Sequence, residues 1–153
     1  MLKKCTFSLF LAALFLSACS DRPRLFPVED APTGNPSSVA QIREGSLLLR
    51  GLDRKKFDIS TIPNPTSDFV YAIQPGIHTL WGMNIPGGHP LFPEGLRCYT
   101  ITDVTLEPGV IYRIDESREQ AVATIKREDT GTIIGRGQLV DRKSAFTDAC
   151  KWE

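Results

Sequence analysis

Histidine is scarce in this chain: His78 and His89 are the only two among 153 residues. None of the G-x-S-x-G, H-E-x-x-H, P-loop or G-x-G-x-x-G patterns occurs, so the usual ways of setting up a nucleophile, a catalytic zinc or a nucleotide phosphate are missing. There is no C-x-x-C and no H-x-x-x-H pair, and a metal site is not expected without ligands at such spacing. Basic excess is absent too, with 18 Lys and Arg against 18 Asp and Glu. That balance gives no electrostatic footprint for nucleic acid. After residue 20 no hydrophobic stretch is long enough to span a bilayer, and good helix-forming runs are rare. The sequence therefore predicts neither an enzyme nor a cofactor-binding protein.

What the chain does have begins at its start. Lys3 and Lys4 precede an apolar run from Thr6 to Leu16, and small residues lead into Cys19. Residues 1–18 read as a secretory signal peptide, too short and wrongly flanked for a membrane span. Leu16-Ser17-Ala18-Cys19 resembles the lipobox of bacterial lipoproteins. The resemblance implies that the Cys19 sulfur carries diacylglycerol and that cleavage precedes it. One fatty chain binds a bilayer only marginally, whereas two or three hold a protein there durably. The residue after Cys19 is Ser20 rather than Asp. In Gram-negative members of that family this favours the outer membrane, periplasmic face, over the inner membrane. An ordinary signal peptide beside a chance cysteine is the alternative. The leader removes two lysines and no acid, leaving 16 basic against 18 acidic side chains, a net charge of −2.

Cysteine arithmetic follows. Cys5 leaves with the leader and Cys19 is the lipidation candidate, so Cys98 and Cys150 remain. In an exported protein such a pair points to a disulfide. A zinc ligand pair or a catalytic thiol are the other readings.

Residues 19–38 contain four prolines among mostly polar neighbours and read as a flexible tether behind the lipidated cysteine. Leu25, Phe26 and Val28 are its apolar exceptions and could dock on the domain or on a partner. From 39 to 153 the pattern is that of strands between turns. Apolar runs or alternations occur at 45–50, 55–59, 69–73, 77–83, 98–106 and 110–114. The segments 121–127 and 132–140 flank Glu128-Asp-Thr-Gly131 as a hairpin would. A short helical turn near Ser117 and a helix over 142–149 are weaker options. Gly135 and Gly137 suggest a bulge or twist within a strand. The prediction is all-β: a small antiparallel β-sandwich of about 7–8 short strands. Ile73-Gln-Pro-Gly and Leu106-Glu-Pro-Gly, each followed by an alternating strand, repeat one scheme. It resembles the Pro-Gly hairpins of small bacterial surface β-sandwich domains of the carboxypeptidase-regulatory or PEGA type, which implies the fold and carries no active site.

The best candidate binding segment is 84–97, a long connection rich in proline and glycine. It offers His89, Phe92 and Arg97, with Trp81 nearby, and aromatic and arginine anchors dominate protein interfaces. An irregular crossover plugging the end of a sandwich explains the same residues. The expected function is a non-enzymatic module, bound to the bilayer through Cys19, that tethers or binds an envelope protein or peptidoglycan. A small-ligand carrier or sensor is the alternative, followed by a hydrolase with an unrecognised site.

Overall fold

The computed structural model describes residues 23–29, 31–32, 34–58, 60, 69–84, 88–89, 92–93, 95–143 and 150–152. Residues 1–22, on which the expected leader, the lipobox-like motif and Cys19 fall, lie outside them. The described strands are β1 (Arg24–Pro27), β2 (Ala40–Glu44), β3 (Leu47–Leu52), β4 (Lys55–Lys56), β5 (Phe69–Ile73), β6 (Gly76–Asn84), β7 (Gly88–His89), β8 (Phe92–Pro93), β9 (Leu96–Leu106), β10 (Ile111–Ser117), β11 (Val122–Arg127) and β12 (Ile133–Lys143). The all-β expectation holds. Its finer form does not: ten strands make one curled sheet, ordered β1-β5-β2-β10-β11-β12-β9-β6-β3-β4, and β7 and β8 form a separate pair. The sheet is also mixed, because β1 runs parallel to β5 and β2 parallel to β10.

The expected hairpin is present, with β11 and β12 antiparallel around a turn whose Gly131 has φ of 70°. The two Pro-Gly turns are not hairpins. Pro75-Gly76 joins β5 to β6 and Pro108-Gly109 joins β9 to β10, yet neither pair is adjacent in the sheet. Each turn instead carries the chain from one flank of the sheet to the other. A tight reversal signal fixes the direction of the chain, and the ladder partner is chosen by burial. No helical turn forms near Ser117, where residues 118–121 make a turn with Ala121 at φ of 48°. Arg142 and Lys143 extend β12, and 144–149 lies outside the described residues.

The tether expectation changes most. Arg24–Pro27 pairs with Phe69–Ala72, and Val28 N donates to Ala72 O at 2.9 Å. The physical reason lies in β5, which is buried on both faces. Phe69, Tyr71 and Ile73 face the main core, while Ala72 packs under Leu25, Ala31 and Val39. An alternating strand with apolar residues on both faces needs a second cover, and the proline-rich segment supplies it. Asn35 caps a single 3-10 turn over Pro36–Ser38, its side chain accepting from Ser37 N at 3.0 Å.

Three tyrosines anchor the core. Tyr71, Tyr99 and Tyr112 are at most 1% exposed, and each hydroxyl finds a partner, as a buried phenol must. Tyr71 donates to Glu44 (3.1 Å), Tyr99 donates to Glu116, and Tyr112 accepts from Glu107 N (2.9 Å). The two sheet edges are short or interrupted by Pro27 and Lys55-Lys56, devices that discourage edge-to-edge association. Curling brings those edges near one another: Lys55 Nζ lies 3.2 Å from Glu29, and the Phe57 and Tyr71 rings are 5.6 Å apart.

Gly135 sits beside a register shift in β11–β12, where a bulge was expected. Gly137 has a different reason to be small. A Cβ there would lie 2.6 Å from Ile101 Cγ1 and 2.9 Å from Thr100 O. Gly137→Ala should therefore destabilise the fold by about 1–2 kcal/mol, because overpacking outweighs the smaller entropy gain of losing a glycine. Urea denaturation checks it, and a variant as stable as the parent would refute the contact.

Candidate functional site

Residues 150–152 form a strap across the outer face of β6 and β9. In β9, Tyr99 and Ile101 point into the core, so Cys98, Thr100 and Thr102 point out. Cys98 is joined to Cys150, with Cα atoms 5.8 Å apart. Lys151 N donates to Asp141 (2.9 Å), Trp152 Nε1 donates to Gly82 O (3.3 Å), and Thr100 Oγ1 donates to Trp152 O (3.5 Å). Trp152 lies flat on Trp81, with ring centroids 5.4 Å apart and planes 3° from parallel. Lys56 Nζ stands 5.3 Å from the centre of the Trp152 ring. The Trp81 ring is thus nearly buried, at 6% exposure.

The β3–β4 turn overhangs this stack. Asp53 and Arg54 both have positive φ, 48° and 68°, the backbone of a two-residue hairpin that usually takes Asn-Gly. Something must hold non-glycine residues there. Asp53 does so with both carboxylate oxygens: Oδ1 accepts from Thr79 N (2.8 Å), and Oδ2 meets His78 Nδ1 (2.7 Å). His78 Nε2 reaches Gln74 O at 2.8 Å. His78 therefore ties one turn to the next. Two shallow clefts flank Trp152 and share Arg54, Trp81 and Trp152 as their common wall. One adds Lys56 and Lys151. The other adds Thr79, Thr100 and Thr102.

A second cluster surrounds Glu116, whose side chain is 1% exposed. Arg97 grips it bidentately with one guanidinium edge, Nη2 donating to Oε2 at 3.1 Å and Nε donating to Oε1. Tyr99 OH also donates to Oε1. Burial alone would push this carboxyl up. The Arg97 and Tyr99 hydrogen bonds, with the charges of Arg97 and Arg118, outweigh it and hold Glu116 below the ordinary carboxyl value. Burial and the same carboxylate push Tyr99 up to about 12. At the β2–β3 corner Glu44 goes the other way. Desolvation raises it despite Arg50, Leu49 N and the Tyr71 hydroxyl.

The four binding candidates separate. Trp81 belongs to the strap and Arg97 to the Glu116 cluster. His89 and Phe92 pair through their backbones in the β7–β8 hairpin, and their side chains lie outside the described set. Asn84 closes the base of that segment, with Oδ1 accepting from Arg97 N (2.7 Å) and Nδ2 donating to Gly95 O (3.3 Å). Sequence reading missed Trp152, Arg54, Lys56 and Glu116. Among the described residues, no group of three or more His, Cys, Asp or Glu is arranged to hold a metal ion. No protein-family model, curated protein or solved structure matches the chain.

Proposed function

We propose that this protein is a lipid-anchored envelope module that binds rather than turns over its target, held at the periplasmic face of the outer membrane through Cys19. The observation that carries the reading is the leader ending in Leu16-Ser17-Ala18-Cys19. The Cys98–Cys150 bridge supports it, because such bonds persist in oxidising compartments. The buried acids support binding over catalysis, since Glu44 and Glu116 are engaged in fixing Tyr71 and Tyr99. The strap with its two clefts is the favoured binding surface.

Docking of β1 adds a distance. Its first residue, Arg24, follows Cys19 by five residue steps, a reach of at most about 18 Å. The domain is thereby kept against the leaflet, and confinement raises the effective concentration for partners there. Cys19→Ala is expected to move the protein from the membrane to the soluble fraction with its fold retained. Fractionation with near-UV circular dichroism checks this, and a folded variant that still sediments with membranes overturns the anchor.

A further inference from the structure

We propose that the paired clefts beside Trp152 bind an acidic polysaccharide, with its acid groups in the Lys56–Lys151 cleft and its neutral hydroxyls in the threonine cleft. This rests on the reading of the protein as an envelope binding module and names the ligand class of that surface.

Charge is the first argument. Arg54, Lys56 and Lys151 are exposed, converge on one cleft, and have no carboxylate within ion-pair distance among the described residues. Cations on the β10–β11 surface behave differently. Arg43 pairs with Glu128, Arg113 and Lys126 pair with Asp115, and Arg127 pairs with Glu107 and Asp129. Solvent-exposed cations are neutralised on one surface and left unmatched on the other, so the strap surface is complementary to an anion.

Chemistry of the walls is the second. Thr79, Thr100 and Thr102 line the adjoining cleft, and hydroxyls beside an indole edge suit a ligand rich in hydroxyls. Both Trp152 ring faces are covered, by Trp81 and Lys56, so the indole serves as a rigid partition and not as a stacking platform. A lipid surface would call for apolar side chains among the cations to enter the headgroup layer, and threonines stand there instead. Rigidity is the third. The Asp53 bonds hold the Arg54 turn, and the Cys98–Cys150 bridge holds Lys151, so little ordering remains for binding to impose. Two open clefts side by side fit a chain molecule better than a compact one.

The test uses full-length protein in detergent with polygalacturonate as the probe. Fully methyl-esterified polygalacturonate keeps the sugar and removes the charge, polyglutamate keeps the charge and removes the sugar, and phosphatidylglycerol vesicles, offered without detergent to the Cys19→Ala protein so that no acyl chain can insert, present an anionic lipid. Binding to polygalacturonate alone is expected. An Arg54→Glu, Lys56→Glu, Lys151→Glu triple variant should bind at least tenfold more weakly, while Arg142→Glu, an exposed cation on β12, should bind as the parent does. Unchanged far-UV circular dichroism and Tm certify that the triple variant is folded; if it is not, the three single variants, each expected to lose about threefold, replace it. Equal binding of the ester, or an unaffected folded triple variant, overturns the site. Equal binding of polyglutamate or of vesicles overturns the glycan. The Cys19→Ala protein should bind polygalacturonate normally: release from membranes without loss of binding, or the reverse, separates failure of the anchor from failure of the cleft.

Discussion

Replacing Cys98 and Cys150 together by serine is expected to cost about 4 kcal/mol of stability. The two residues are 52 apart in sequence, and closing a loop of that size in the unfolded chain removes entropy worth roughly that amount. At a typical urea dependence this lowers the denaturation midpoint by about 2 M. The consequence is local as well as global. Among the described residues the strap is otherwise held by three hydrogen bonds, one ring stack and the Lys56 ammonium over Trp152, so Trp152 should leave Trp81 well before the sheet melts. Near-UV circular dichroism of the double variant should lose the coupled indole signal under conditions where far-UV strand content is intact. A midpoint within 0.3 M of the parent, taken here as about the resolution of such a titration, would refute the expectation.

Arg97→Met should be about as costly, at roughly 3–5 kcal/mol, because it leaves the buried Glu116 carboxylate without its main partner. Tyr99→Phe removes one hydrogen bond to the same oxygen and should cost only about 1–2 kcal/mol. The pH dependence supplies the control. A carboxyl held below its ordinary value adds stability that is present above that value and is lost as pH falls through the lowered one. Arg97→Met abolishes this contribution, so the gap between parent and variant should shrink in acid. Glu44, being raised, has the opposite sign: its contribution is largest in acid and is lost as pH rises through its elevated value. It is common to both proteins and cancels in the difference. Denaturant titrations at neutral pH and below pH 4 measure the gap, and an unchanged gap would show that Arg97 acts by packing alone.

Local chemistry made part of this molecule readable in advance. The β11–β12 hairpin, the strand character of 69–73 and 98–106, and the pairing of Cys98 with Cys150 all follow from short-range pattern or from counting. Pairing partners do not. Pro75-Gly76 signals a reversal equally well whether the next strand lies alongside or across the core. Docking of Leu25 and Val28 depends on the second apolar face of a strand more than forty residues away, a long-range match that proline content obscures. Trp152 had a usable signal. It follows Cys150 by two residues, as Thr100 follows Cys98, and Thr100 lies opposite Trp81. Once the bridge is assumed, the two indoles are brought together. Arg54 and Lys56 had none, since a charged turn reads as solvated surface until the strap beneath it is known.

The strand order also governs how the chain can reach this state. β2 must find β10 across some seventy residues, and β1 must find β5 across more than forty. Each pairing requires a large loop to close before any ladder rewards it, which slows acquisition of structure and prolongs exposure of open strands. Until those loops close, the open strands leave the chain vulnerable to proteolysis and to self-association, a kinetic cost that the strand order itself imposes.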